Sequence, residues 1–499
     1  MNSLKTRTMK ALGWDLTGRL SGQGVSFVIS IFLARLLSPA DFGLLAMVNV
    51  VVGIASVVMD MGFGSALVQR KEVTEDHYGS VFVFNTVVGL LLTVLLFSCS
   101  GLLARFYKRE IIADIGRIMC LVFIINSFGS VIRTKLYKEL NFKILTLSTL
   151  FSVIISGSTG VLMAFMGFGI WSLVTQSLLS PFLINLFCFI AAKWFPKIIF
   201  RLGSLKELWN YSVNIFISTL IGAVYGQLDA LVIGKIFAPA KLGYYYRAKS
   251  LESMLYNYTS QSLLSVFFPA MSSVKDEKER FNSIVLRAFH IICFISFTLL
   301  GVLFLVSGDI IVILFSKKWL PSVPLFKILL LSSFVYPMTA LFNSVLSSKG
   351  NSKAFLRITI IRYTILTPTF IILSYFGIKM FLYSFVVSTI LSLFFSTYYA
   401  SREIQLPPFL FLKTILPYVL IDIFITGILE SISGKIVVNH FLHFFLFSTV
   451  FSVSFFSALK LFKIEGLRLT YAEAYNVLKR LYNKHLSKKY RSPLIYNEN

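Results

Sequence analysis

The ten residues Ala34-Arg35-Leu36-Leu37-Ser38-Pro39-Ala40-Asp41-Phe42-Gly43 have a counterpart 200 positions on, Gly234-Lys235-Ile236-Phe237-Ala238-Pro239-Ala240-Lys241-Leu242-Gly243. The register holds without a gap: base answers base, proline answers proline and glycine answers glycine. In each copy a long apolar run ends at a basic residue, turns at Pro-Ala and restarts after glycine. Proline cannot continue the first helix, and glycine relaxes the entry to the next. Each copy therefore reads as a helix–tight turn–helix corner, and two copies require a duplicated fold.

Composition decides the solvent of that fold. Of 499 residues 56% are hydrophobic and 14% charged, with a mean hydropathy of +0.79; soluble chains carry about a quarter charged residues. Apolar runs near twenty residues long follow one another almost without pause, and runs of that length cross a bilayer as helices rather than barrel strands. The expectation is an all-α polytopic membrane protein of about fourteen spans. The four corner spans fall at 14–36, 44–66, 210–234 and 246–267. Spans ten and eleven fall at 324–346 and 356–376, and the last two at 409–430 and 437–459. The second and eighth carry charges. Spans one to six match seven to twelve, so the halves are parallel repeats about an axis along the membrane normal. The predicted division is a six-helix lobe over 1–205, a second over 206–403, two extra spans within 404–465 and a basic tail over 466–499. In that tail Leu467, Tyr471, Tyr475, Leu478, Leu481 and Tyr482 mark one apolar face of an amphipathic helix on the inner membrane surface.

A net charge of +25 would suggest nucleic acid on a soluble protein. Here the excess follows topology. Roughly two-thirds of the bases fall on one side when both termini are placed in the cytoplasm, with Arg133, Lys135, Lys138 and Lys143 in one inside loop. Asp15 and Arg19 interrupt what would be the apolar core of a signal peptide, so the first span reads as uncleaved. The four cysteines lie inside spans, far apart, and read as inert thiols. The five histidines form no metal motif, His440 and His443 falling at a span boundary, and no phosphate-binding Gly-x-x-x-x-Gly-Lys loop is present. Without a large outer loop there is little room for an extramembrane active site.

Polar stripes inside the membrane are the functional signal. At helical spacing Lys249, Glu252, Ser253, Tyr256 and Ser260 line one face of span eight; Asn49, Val52, Gly53, Ser56 and Asp60 line the matching face of span two. Charges at membrane depth cost several kcal/mol and normally face a bundle interior or a watery cavity. Span one adds Arg19, with Asp15 a turn before it, and Gly18-x-x-x-Gly22, a pattern that also serves close helix packing. Span seven adds Asp229, either functional or part of an internal salt bridge. Arg362 in span eleven and Ser332, Tyr336, Thr339 and Asn343 in span ten suggest further cavity wall. Lys327 snorkels outward or faces the cavity, and Tyr244–Tyr246 reads as an interfacial aromatic belt or a platform for sugar stacking. A binding cavity without catalytic residues points to a transporter.

Several stretches resemble polysaccharide transporters of the Wzx type: Phe42-Gly43-Leu44-Leu45, Asp60 to Glu72, Lys138-Glu139-Leu140-Asn141-Phe142, Leu242-Gly243-Tyr244-Tyr245, Phe267-Phe268-Pro269-Ala270-Met271 and Lys317-Lys318-Trp319. The resemblance covers roughly residues 5–400. It implies a MATE-like fold of two six-helix lobes around a central cavity lined by spans one, two, seven and eight. It also implies export of undecaprenyl-diphosphate-linked oligosaccharide repeat units across a bacterial inner membrane, by alternating access, for O-antigen, capsule or exopolysaccharide. A polysaccharide polymerase and a chain-length regulator are the partners to expect beside membrane lipids.

The residue roles are independent of that resemblance. Arg19, Lys249 and Arg362 are the candidate cavity cations for a diphosphate. Asp60, Asp229 and Glu252 balance them, and one could carry a coupling proton or sodium ion; no other cofactor is expected. Asn49, Ser56, Tyr256, Ser260 and Asn343 line the cavity. The alternatives are a peptidoglycan lipid-precursor flippase, which shares the architecture, and a multidrug or small-cation antiporter, which would want a more acidic cavity. A membrane glycosyltransferase, polymerase or ligase would need the missing outer loop.

Overall fold

Long apolar runs separated by Pro, Gly and charge become helices because each helix satisfies its own backbone in lipid. The computed structural model describes residues 2–256, 262–350, 352–436 and 438–470, and contains nineteen α-helices and no strand among them. Among the described residues twelve helical stretches, two of them formed by consecutive helices (Ile111–Lys138 and Ser322–Ser348), are long and apolar enough to span a membrane. They match twelve of the fourteen expected spans. At the other two positions the structure has the α-helices Pro239–Tyr256, which carries Lys241, Arg247, Lys249 and Glu252, and Ser352–Ser374, which carries Lys353, Arg357 and Arg362.

The chain forms two compact units. The first runs from Met1 to Arg247 and includes Leu314–Trp319. It holds α1 (Asn2–Leu36), α2 (Pro39–Asp60), α3 (Phe63–Gln69), α4 (Glu75–Tyr107), α5 (Ile111–Met119), α6 (Leu121–Lys138), α7 (Phe142–Phe165), α8 (Ile170–Ala192), α9 (Leu202–Ile236) and the first half of α10 (Pro239–Tyr256). Here α1 packs on α7 and α7 on α8. Gly18 provides the close approach: a Cβ there would lie 2.4 Å from the Thr146 hydroxyl, so the Gly18-x-x-x-Gly22 pattern is a packing seam. Span seven, as α9, packs along α2 and against α3 and α4. For that reason this unit extends beyond the sequence repeat that ends near 205.

The second unit, Ala248–Ile313 and Leu320–Asn499, holds the rest of α10, α11 (Ser262–Ser273), most of α13 (Ser307–Phe315), and the remaining helices. Its centre is α12 (Lys278–Leu305), which touches α15 (Val335–Ser348), α18 (Pro408–Ser433) and α19 (His440–Leu461). Around α17 (Ile378–Ile404) pack α14 (Ser322–Ser333), α15 and α16 (Ser352–Ser374). Asp309 of α13 clasps the start of α19, its two oxygens meeting His440 Nδ1 at 2.7 Å and His443 Nδ1 at 2.5 Å. The amphipathic helix expected in the tail falls mostly on 471–499, outside the described residues.

Candidate functional site

The duplicated corners meet each other. A Cβ on Gly43 would sit 1.8 Å from the Pro239 carbonyl oxygen, and a Cβ on Gly243 would sit 1.8 Å from that of Pro39. This reciprocity is the mark of a local two-fold, in which each partner presents the same patch. The basic residue of each corner locks it crosswise. Arg35 Nε donates to Leu314 O at 2.9 Å, beyond span nine, and Lys235 Nζ donates to Phe106 O at the end of span three. Each base thus reaches the other sequence repeat. The first corner is also capped by Ser38 and Asp41, which accept from one another's backbone N–H groups.

The motif Lys317-Lys318-Trp319 completes this assembly. Trp319 Nε1 donates to Ala34 O at 2.8 Å, and Lys318 Nζ donates to Arg35 O at 2.7 Å and Leu37 O at 2.6 Å. These carbonyls end α1 and have no intrahelical partner. Burial holds the Lys318 ammonium below the usual lysine range, with the Asp41 carboxylate acting in the opposite sense. Buried Arg247 lies over the rings of Phe42 at 4.5 Å, Phe315 at 4.6 Å and Trp319 at 5.2 Å, a cation held by aromatic faces.

In the second unit the structure gathers three of the six charged residues singled out in the sequence. Glu252 of α10 is 8% exposed and accepts from Ser333 Oγ at 2.7 Å. The Arg362 guanidinium stands 5.8 Å from the centre of the Tyr336 ring, with its Nε buried and unpaired. Tyr336 stands beside Thr389, whose hydroxyl donates to Phe385 O at 2.6 Å, and within reach of the charges of Arg362, Glu252 and Lys249. Two cations, one carboxylate and three hydroxyls therefore share one polar locus on α10, α14, α15, α16 and α17. Such a locus supplies charge-assisted donors for an anion while its carboxylate limits how tightly that anion is held.

The other predicted residues lie elsewhere. Arg19 is exposed and pairs with Asp15 at 3.0 Å along its own helix. Asp229 is 2% exposed and accepts hydrogen bonds from Ala230 N at 2.7 Å and from the Tyr245 hydroxyl. It is therefore an internal strut with a tyrosine partner, and Tyr245 is a core residue instead of part of an interfacial belt. The α2 stripe faces α9: a Cβ on Gly53 would lie 2.9 Å from Gln227 Nε2, and Ser56 bonds its own helix at Val52 O. Asn49 is half-buried on that helix. Asn343 meets Ser396 at 3.5 Å across α15 and α17. Tyr256 closes α10, and Ser260 lies outside the described residues. Lys327 pairs with Glu430 at 2.5 Å.

Two residues escaped the sequence reading. Arg133 was expected in an inside loop, but α6 runs on to Lys138 and draws it into the bundle, where Nη1 donates to Asn185 Oδ1 at 2.6 Å. Asp422 of α18 is 6% exposed with Oδ1 unpaired, against Gly301 and Phe451. A lone Asp in an apolar run was the available signal for it. Among the described residues no His, Cys, Asp and Glu group is arranged to hold a metal ion.

A membrane-embedded helical body with reciprocal corners and a buried polar locus is the build of a transporter fold. The Lipid II flippase MurJ, in an inward closed conformation, superposes with a TM-score of 0.70 at 16% identity, over 90% of this chain and 98% of that one. An inward-facing multidrug resistance MATE family transporter gives 0.61 at 14% identity, over 76% and 95%. At the level of sequence, residues 32–324 match the family described as polysaccharide biosynthesis protein, and the chain belongs to that family. Teichuronic acid biosynthesis protein TuaB of Bacillus subtilis is 29% identical over 60% of this chain and 62% of its own length. The succinoglycan biosynthesis transport protein ExoT of Rhizobium meliloti is 24% identical over 68% and 69%. The lipopolysaccharide biosynthesis protein WzxC of Escherichia coli is 23% identical over 74% and 76%.

Proposed function

We propose that this chain is a flippase that moves undecaprenyl-diphosphate-linked oligosaccharide from the cytoplasmic to the outer leaflet of a bacterial inner membrane, both termini lying in the cytoplasm. The observation that carries the reading is the Lys249–Glu252–Tyr336–Arg362 locus in a member of a polysaccharide biosynthesis family. Lys249 and Arg362 attract the diphosphate; Glu252 keeps it releasable. The polyprenyl tail stays in lipid while diphosphate and sugars need polar shelter. In this topology the paired corners lie at the outer face, so they form the gate that separates when the substrate leaves outward. With the cell interior negative, outward movement of an anion gains roughly 2.3 kcal/mol per charge per 100 mV. Coupled entry of a proton or sodium ion adds drive without being obligatory.

Deleting the chain tests this reading. Cells lacking it should lose surface polymer and retain the lipid-linked oligosaccharide in the cytoplasmic leaflet, with restoration by the wild-type chain. Normal polymer in the deletion strain would remove the proposal.

A further inference from the structure

The first unit contains a cavity of about 660 Å3 between the end of α2, α3, α6 and the start of α9. Its volume is that of a small-molecule site, typically about 300–1,000 Å3. The walls carry Asp60, Ser65, Gln69, Arg133, Tyr137 and Tyr211. These groups are held in place. Arg133 is anchored by Asn185, whose Nδ2 donates to Ile125 O at 2.6 Å. Asn185 fits only because residue 129 is glycine: a Cβ there would lie 1.8 Å from Asn185 Oδ1. The Asp60 carboxylate lies beside the start of α3, where a Cβ on Gly64 would sit 3.1 Å from its Oδ1, and the left-handed turn at Met61 (φ 43) and Gly62 (φ 77) brings that backbone round. Arg133 and Asp60 act on each other's charge without closing into an ion pair.

That inventory discriminates among ligands. A free phosphate or diphosphate would meet a carboxylate beside the guanidinium, an apolar drug would meet too many polar groups, and a small cation would meet Arg133. A sugar ring both donates and accepts hydrogen bonds around its rim and offers C–H faces to aromatic rings. Asp60 accepts, Arg133 donates, Ser65 and Gln69 do both, and Tyr137 and Tyr211 supply ring faces. We infer that this cavity is a carbohydrate subsite that takes one or two uncharged sugar rings of the lipid-linked substrate. The inference rests on the flippase reading for the source of its sugar. It assigns Asp60 to sugar recognition in place of ion coupling, and Gly129 and Asn185 to positioning Arg133.

The test uses the full-length chain in lipid nanodiscs with its four cysteines replaced by alanine and Ser65→Cys introduced. Maleimide labelling is timed with cellobiose, with N,N′-diacetylchitobiose and with inorganic diphosphate. At concentrations about tenfold above Kd, a bound disaccharide should slow labelling by about tenfold, diphosphate should leave it unchanged, and Arg133→Gln should abolish the protection. Protection by diphosphate alone, or by no probe, would overturn the inference. Because Arg133→Gln could misfold, Ser65→Trp is tested in cells: residue 65 is exposed, and the indole fills the cavity mouth. Surface polymer should fall by about tenfold at unchanged protein level. If the deletion strain is blocked but Ser65→Trp exports normally, the subsite is refuted and the flippase reading stands. If the deletion strain itself exports, the flippase reading is what fails.

Discussion

Gly43→Ala offers a sharp test of the paired corners. The added methyl would lie 1.8 Å from the Pro239 carbonyl oxygen, 2.6 Å from its carbon and 3.1 Å from its Cα. That is about 1.5 Å short of ordinary contact. The obstructing atoms are backbone, so no rotamer change relieves the clash and the corners must part. Overpacking costs about 1–3 kcal/mol, and a backbone obstacle places this change near the top of that range. A penalty of about 3 kcal/mol on the joined state lowers its population relative to the parted state by roughly a hundredfold. Gly243→Ala should act the same way by symmetry, meeting Pro39 O at 1.8 Å. The double variant should cost less than the sum, because both methyls open one interface. Ala46, one turn further along α2 and 2% exposed, reports the opening. In a cysteine-free background, Ala46→Cys should resist an impermeant maleimide, and either glycine substitution should speed its labelling by roughly a hundredfold. Unchanged labelling and unchanged Tm in both variants would refute the two-fold packing of the corners.

Other predictions follow from single contacts. Ser38→Ala removes the side-chain cap of α2 and should cost about 1 kcal/mol in detergent-solubilised unfolding, whereas Ala238→Ser should not destabilise the second corner. Asp422→Leu replaces a buried, unpaired carboxyl by an apolar group and should be neutral or raise stability by about 1–3 kcal/mol. Gly301→Ala should lower it by a similar amount, since its Cβ would lie 2.0 Å from the Phe451 ring; a destabilised Asp422→Leu would mean that the carboxyl has a partner. Lys249→Ala and Arg362→Ala should each cut surface polymer at normal protein levels, by about tenfold or more for a lost charge-assisted contact of about 1.5–3 kcal/mol; unaffected export in both would take the diphosphate out of the second unit.

The helical fold was legible because apolar run length and the lipid solvent leave few alternatives, and the duplication because proline and glycine kept their register. Periodicity placed Lys249 and Glu252 on one face of α10, and the structure brings Arg362 to the same locus from a helix about 110 residues away in sequence. It could not separate the equivalent stripe on α2, where Gly53 and Ser56 serve helix packing, because small residues suit a seam and a cavity equally. Asp229 and Tyr245 lie one on each helix of the second corner, so their pairing depends on how the corner folds back. Arg133 was missed for a different reason: a base near a run's end looks like loop until the helix is seen to continue past it.

Reconstitution measures the central claim directly. Purified chain in proteoliposomes containing fluorescent undecaprenyl-diphosphate-linked oligosaccharide should carry the sugar from one leaflet to the other, faster when an imposed potential favours anion movement in that direction. The same vesicles with Lys249→Ala should carry far less. Leaflet exchange no faster than in protein-free vesicles, with the chain shown to be folded, would contradict the account.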